Sequence, residues 1–259
     1  MVSVWAGMMA LSKGGETMTR TQNVFQRTEK KYLLNPEQHL ALEQALRGQM
    51  VPDDYGVQTI ANIYYDTPDC LLIRRSLDKP IYKEKLRIRS YARVEKDSKV
   101  FVELKKKFKD VVYKRREVMC LKDAELFLAA GIALHPLSQI QREIDWFRTF
   151  HGVIPRAFIA YERQAYLDSG ASGLRLTFDT NIRCRDRDLS LSASFEGNPV
   201  LPEDQTLMEV KAAGAMPLWL AEMLAGMSIY PASFSKYGRF YQEGLIRETT
   251  DGGRQIHVA

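Results

Sequence analysis

Charged and apolar residues alternate along short segments of this chain that are rich in β-branched and aromatic side chains. In the segment KLRIR, Lys85, Arg87 and Arg89 occupy every second position, and Leu86 and Ile88 lie between them. Successive side chains of a β-strand point to opposite faces, so such a strand presents one apolar face and one row of cations. The alternation therefore predicts a sheet whose apolar face is covered and whose charged face meets water or counter-charges.

The same alternation recurs in three further segments. Their charged positions are Glu103, Lys105 and Lys107, then Arg175 and Asp179, and then Glu209 and Lys211. A half-buried sheet with its charged side in water also alternates in this way. The repetition favours a second arrangement, in which helices cover the apolar faces and the charged faces line a concave sheet or a closed barrel. Charges enclosed there need counter-charges, which a phosphate chain and a metal ion would supply.

Eight segments have the composition and the alternation of strands. They are residues 25–34, 58–65, 81–92, 100–108, 111–119, 157–167, 174–184 and 207–212. Helices are predicted between them, after Asn35-Pro36, Pro68, Lys122, Pro136 and Pro217, and around residues 236–245. Lys109-Asp110, between two of the strands, predicts a tight hairpin, so at least part of the sheet is expected to be antiparallel.

These elements predict an α+β fold, namely an antiparallel β-barrel or tunnel of about eight strands with helices packed outside. No internal repeat or linker divides the chain, so we predict one domain at residues 21–247. A flexible leader is predicted at residues 1–20 and a flexible tail at residues 248–259.

The composition limits the class of partner. The 259 residues are 45% hydrophobic and carry a net charge of +5, which excludes a disordered chain and suits an anionic partner or simply a soluble surface. No apolar run reaches the roughly 18 residues of a membrane span, so no span is expected. The three cysteines are far apart, which argues against a disulfide framework and favours a reducing, cytoplasmic location.

Nine short motifs occur in a characteristic order. They are RTEKKY (27–32), NIYYDT (62–67), KLRIRSY (85–91), FVELKKK (101–107), YKRR (113–116), YERQAY (161–166), LRLTFDTNI (174–182), LMEVKA (207–212) and FSKYGRF (234–240). In this order and spacing, residues 25–243 resemble the triphosphate tunnel (CYTH-like) superfamily. Within it they are most similar to the polyphosphate-polymerase domain of the vacuolar transporter chaperone (VTC) family, in its bacterial single-domain form.

The resemblance implies a tunnel whose basic residues hold a nucleoside triphosphate or a polyphosphate chain. The phosphate-binding set that it implies is Lys31, Arg87, Arg89, Lys105, Lys114, Arg116, Arg163, Arg175, Lys211 and Lys236. It also implies catalytic roles for Arg87, Arg89, Lys211 and Glu209, and a Mn²⁺ or Mg²⁺ ion held by Glu209 with Glu29 as a secondary ligand. A register shift of one residue would instead turn Arg115 inward in place of Lys114 and Arg116.

One motif departs from the pattern of the wider superfamily. Where that pattern is E-x-E-x-K, this sequence has Arg27-x-Glu29-x-Lys31, so the first carboxylate is missing. The loss of one metal ligand weakens an interpretation as two-metal hydrolysis. Glu103 and Asp179 are expected to position cations or basic side chains, and for Asp179 simple pairing with Arg175 or a neighbour is an equal alternative.

The resemblance implies a phosphotransferase that passes the γ-phosphoryl group of ATP to a growing polyphosphate chain and releases ADP. The expected partners are ATP and inorganic polyphosphate or triphosphate. Two alternatives share the same cations: a tripolyphosphatase or nucleoside triphosphatase, and a non-catalytic module that binds polyphosphate or inositol phosphates. Nucleic acid is not expected, because Tyr64, Tyr65, Tyr91 and Tyr161 form no recognisable stacking motif and strand tyrosines more often fill cores. The sequence does not indicate an oligomeric state.

Overall fold

The computed structural model describes residues 24–25, 28–109, 111–133, 135–168, 170 and 173–245. Within these residues, eleven strands form one antiparallel sheet. The strands are β1 (Val24–Phe25), β2 (Thr28–Leu34), β3 (Met50–Pro52), β4 (Gln58–Asp66), β5 (Tyr82–Ser90), β6 (Lys99–Phe108), β7 (Val111–Cys120), β8 (Ile154–Asp168), β9 (Arg175–Arg185), β10 (Asn198–Pro199) and β11 (Thr206–Ala212).

Six α-helices and one π-helical turn accompany the sheet in the described part of the chain. They are α1 (Pro36–Leu46), α2 (Leu71–Leu77), α3 (Leu121–Ala130), α4 (Gln139–His151), α5 (Leu218–Gly226), α6 (Lys236–Phe240) and the π-turn Tyr241–Leu245. Two of the helices begin with a complete capping box, in which Asn35 and Gln38 or Ser138 and Gln141 satisfy each other's backbone amides. No helix in the described ranges combines the length and the apolar character needed to cross a membrane.

The sheet is curled into a tunnel. Its strands follow the order β1-β7-β6-β5-β4-β8-β9-β11-β2, with β10 beside β9 and β3 beside β8. The two end strands, β1 and β2, are separated in sequence by only Gln26 and Arg27, so Phe25 and Thr28 lie within about 11 Å of each other. The sheet must therefore bend until its two edges are neighbours, although the described residues show no ladder between them.

The predicted fold class is confirmed. The eight predicted strand segments correspond to the eight strands of seven or more residues, and the predicted helices all form. The Lys109-Asp110 hairpin is also confirmed, because Phe108 pairs with Val111 and Lys109 has the left-handed φ of 44° that such turns require. The short strands β3 and β10 were not predicted, and the predicted strand at 25–34 is divided into the short β1 and the longer β2. The leader at 1–20 and the tail at 248–259 lie outside the described residues, and the domain bounds stay a prediction.

Two apolar clusters lie on the outer side of the curled sheet, and a third lies on its inner side. Helices α3 and α4 cover β5 and β6, for example through Phe127 and Phe147. Helices α1 and α5 cover β2, β9 and β11. The third cluster packs α2 and α6 against residues of β4 and β8 that themselves line the hollow, namely Ile60, Tyr64 and Tyr161. Because the other strands bury their apolar side under α1, α3, α4 and α5, their charged side faces the hollow.

Candidate functional site

The hollow of the curled sheet is a cavity of about 460 Å³. Eleven of its lining side chains are lysines or arginines and three are acidic. The basic residues are Lys31, Lys85, Arg87, Arg89, Lys105, Lys114, Arg116, Arg163, Arg175, Lys211 and Lys236, and the acidic ones are Glu29, Asp53 and Glu209. The structure thus brings together all ten residues of the phosphate-binding set implied by the resemblance, and both carboxylates proposed as metal ligands.

The register of β7 decides which of its cations face the cavity. Lys114 and Arg116 line it, and both contact Glu103 of the neighbouring strand. Arg115 points to the outside, where its Nε lies 3.1 Å from Glu143 Oε2 on α4. The alternative register with Arg115 inward is therefore not the one observed.

Glu103 pairs with four of the cavity cations at once. Arg87 donates to its Oε2 from Nε and Nη2 at 2.9 and 2.7 Å, and Arg116 donates to its Oε1 at 2.8 and 2.5 Å. Lys114 Nζ lies 2.6 Å from Oε1 and Arg89 Nη1 lies 3.9 Å from Oε2. Burial alone would raise the pKa of Glu103, but these cations hold it well below its usual range. Glu103 therefore stays ionised and fixes the orientation of both guanidinium groups.

Asp179 has the same role on the opposite wall. This carboxylate is fully buried, receives two hydrogen bonds from Arg163 at 2.6 and 2.7 Å, and lies 2.5 Å from Lys236 Nζ. Of the expected pairing with Arg175 or a neighbour, the structure shows the neighbour Arg163, whereas Arg175 extends to Asp53 at 3.2 Å. Arg163 and Asp179 are directly opposite each other on β8 and β9, which explains the pairing with that neighbour.

Glu209 is the third carboxylate that gathers cations. Lys211, Lys31 and Arg163 lie 2.8, 3.4 and 3.8 Å from its oxygens. Burial would raise its pKa, but Lys211 and Lys31 hold the pKa well below the usual value. Glu209 is thus an anion at neutral pH, within a wall in which cations outnumber carboxylates.

The two carboxylates proposed as metal ligands share one side of neighbouring strands. Glu209 stands opposite Lys31, and Lys211 stands opposite Glu29, so the two acidic residues are diagonal neighbours across the β2–β11 pair. Among the described residues, no group of three or more His, Cys, Asp or Glu could hold a metal ion. A pair of carboxylates fits a hard cation such as Mg²⁺ or Mn²⁺ when phosphate oxygens and water complete its coordination.

Three tyrosines, Tyr64, Tyr91 and Tyr161, line the cavity, although strand tyrosines were expected to fill the core. Arg87 Nη1 donates to the hydroxyl of Tyr64 at 3.0 Å, and Arg89 Nη2 lies 3.4 Å from the hydroxyl of Tyr161. Burial raises the pKa of Tyr161, but Arg163 and Arg89 outweigh this effect and lower the pKa to about 8. No sequence signal separates such tyrosines from core tyrosines, because tyrosines occur in these strands both at the charged positions and at the apolar positions.

The segment 231–237, which we call the closing segment, crosses one end of the hollow. Phe234 O accepts a hydrogen bond from Lys31 on β2 at 2.9 Å, Ser235 Oγ accepts one from Lys85 on β5 at 3.0 Å, and Lys236 reaches Asp179 on β9. Consecutive residues thus contact three separate strands of the wall. Lys236 was predicted near a helix start, and it is the first residue of α6.

A curled antiparallel sheet with an apolar exterior and a cationic interior defines a protein of the triphosphate tunnel class. A model of the VTC domain matches residues 26–243. The chain therefore belongs to the VTC domain family.

A solved structure agrees on the fold. A Bacillus halodurans protein described as an adenylate cyclase has 15% sequence identity and a TM-score of 0.52, over 83% of this chain and 96% of that chain. A Hippeastrum protein, whose description assigns it a dominant triphosphatase activity, has 16% identity and a TM-score of 0.48, over 90% of this chain and 98% of that chain. A search of curated proteins gives no match. At these identities the first likeness shows the fold alone.

Proposed function

We propose that this protein is a metal-dependent polyphosphate polymerase, which transfers the γ-phosphoryl group of ATP to the end of a polyphosphate chain inside the cavity. The observation that carries the proposal is the charge of the wall. Eleven cations face three lining carboxylates and the two buried carboxylates Glu103 and Asp179. The excess positive charge in a partly dehydrated hollow favours a multiply charged linear anion.

In phosphoryl transfer, the protein mainly aligns the donor and the acceptor and stabilises the charge on the transferred group, and it contributes little covalent chemistry. Arg87 and Arg89 project into the cavity from the same side of β5, and planar guanidinium groups bind phosphate oxygens in a bidentate manner. Glu103 and Asp179 hold these cations and those of the opposite wall in place before the ligand enters. Such preorganisation is the main source of electrostatic catalysis.

In the proposed reaction, a terminal oxygen of the acceptor phosphate chain forms a bond to the γ-phosphorus. The bond between that phosphorus and the bridging oxygen to the β-phosphate breaks, and its electron pair leaves with ADP. Arg87, Arg89 and Lys211 would bind the oxygens on which negative charge is spread during this step.

Glu209 and Glu29 are the residues that would hold a Mn²⁺ or Mg²⁺ ion. Such an ion supplies additional neutralisation of phosphate charge when it is bound with the nucleotide. Lys31 and Lys211 keep Glu209 in a fixed position between them. The low count of carboxylates in the cavity supports transfer to a chain over two-metal hydrolysis.

The test is an incubation of the protein with ATP and Mn²⁺ or Mg²⁺, followed by gel separation of phosphate chains and assays of ADP and orthophosphate. Long chains with equimolar ADP are expected. Orthophosphate without chains would contradict the proposal and indicate a hydrolase, and phosphate binding without any ADP would indicate a binding module. Arg87→Met is expected to abolish chain formation, whereas Arg115→Met, which removes an equal charge from the outer face of the sheet, serves as the matched control.

A further inference from the structure

Ten of the eleven cations that line the cavity have a carboxylate oxygen within 4.0 Å. Lys85 is the exception among the described residues. Its ammonium group donates one hydrogen bond, to the neutral hydroxyl of Ser235 at 3.0 Å. A cation in a dehydrated wall without a counter-charge is unfavourable unless an anion is supplied from elsewhere.

The charged groups that act most strongly on Lys85 are themselves cations. Lys31 of β2, Lys105 of β6, and Lys83 and Arg87 of its own strand all repel its positive charge. The other titratable groups around it are Tyr64, Tyr65 and Asp66 of β4, Glu84 of β5 and Tyr237 of α6. The carboxylate of Asp66 is already engaged by the backbone amides of α2 and by the Tyr237 hydroxyl.

We propose that Lys85 and Ser235 form a further phosphate subsite, at the end of the cavity crossed by the closing segment, and that the bound phosphate is the counter-ion of Lys85. The inference rests on the proposed function and adds to it the residues that receive the innermost phosphate group. The ligand class is a linear inorganic polyphosphate or the phosphate chain of a nucleotide. Ser235 can donate its hydroxyl proton to a phosphate oxygen while it accepts from Lys85.

Phosphate binding at this subsite changes the protonation of Lys85. Burial, followed by repulsion from Lys31 and Lys105, lowers the pKa of Lys85 to about 7. A phosphate anion beside the ammonium group raises the pKa again. At pH 8 the unliganded side chain is mostly neutral and the liganded one is charged, so binding takes up most of a proton at this residue.

The test is titration calorimetry with inorganic tripolyphosphate at pH 8, in two buffers that differ in ionisation enthalpy. Lys85→Met is expected to weaken binding about 10- to 100-fold and to reduce the proton uptake by close to one. Lys85→Arg keeps the charge, so it is expected to bind within a few fold of the wild type but without that proton. Lys30→Met removes an exposed lysine from the outer side of β2 and is expected to match the wild type in both quantities.

The proposed subsite and the proposed function fail in distinguishable ways. If Lys85→Met and Lys85→Arg bind tripolyphosphate with the wild-type affinity and proton uptake, while Arg87→Met loses binding, the subsite is wrong and the cavity remains a phosphate site. If the wild-type protein does not bind tripolyphosphate, both are wrong. Should Lys85→Met fail to fold, the proton uptake of Lys85→Arg decides alone, and an unchanged value overturns the inference.

Discussion

Replacing Glu103 by Gln tests whether a single carboxylate organises one wall of the cavity. The variant keeps the shape of the side chain but leaves Arg87, Lys114 and Arg116 within 2.9 Å of a neutral amide. The carboxylate is 1% exposed, and removing one partner of a buried charge pair costs about 3–5 kcal/mol, because the other charge is left uncompensated. For a domain of this size that corresponds to a fall in melting temperature of about 6–20 °C.

The assay is thermal unfolding at pH 7.5, followed by circular dichroism, with and without saturating tripolyphosphate. A bound polyanion takes over part of the role of Glu103, so tripolyphosphate is expected to raise the melting temperature of Glu103→Gln by more than that of the wild type. Glu143→Gln is the matched control, since it breaks a partly exposed pair with Arg115 worth about 0–1 kcal/mol. If Glu103→Gln melts no lower than Glu143→Gln, the assignment of Glu103 as the organising group is refuted.

Three further outcomes are expected. Lys85→Met raises the free energy of unfolding of the unliganded protein at pH 7 by about 1–3 kcal/mol in urea. The reason is that the folded state lowers the pKa of this lysine, so its charge destabilises the fold below pH 10. An unchanged urea midpoint would argue against an unfavourable charge. Acid unfolding begins as the pH falls below about 4.5, because the folded state lowers the pKa values of Glu103 and Glu209. Their contribution to the free energy of unfolding is complete above that pH and is lost as they protonate. A stability that does not change from pH 5 to pH 2 would contradict this. Arg163→Met weakens tripolyphosphate binding about 10- to 100-fold by calorimetry, and wild-type affinity in this variant would exclude a direct phosphate contact.

The cations of the site were predictable because strand alternation assigns each side chain to a face. Arg87 and Arg89 share a face with Lys105 across the β5–β6 pair, and all three line the cavity. The same rule already placed Lys85 on this face, but the family pattern did not include it. The ammonium group of Lys85 has no carboxylate partner because of the residues that three other strands and the closing segment place around it. Strand alternation alone does not determine which residues these are.

The counter-charges were harder to foresee. Glu103 and Asp179 follow the same alternation as the cations, so the sequence places them on the inner face without showing how deep they lie. Whether a carboxylate faces a ligand or anchors basic neighbours depends on cross-strand register. Asp179 pairs with Arg163 because β8 and β9 align these two residues, and not with Arg175, which lies on its own strand.

The closing segment sets a condition on the passage of a long product. A linear chain that left the cavity past this segment would have to displace Phe234, Ser235 and Lys236 from their partners on β2, β5 and β9. The Lys236–Asp179 pair is interior, so its separation is favourable only if a new anion replaces the carboxylate. A passing polyphosphate is such an anion, because each of its phosphate groups in turn could pair with Lys236. The product would therefore itself lower the barrier to its own exit.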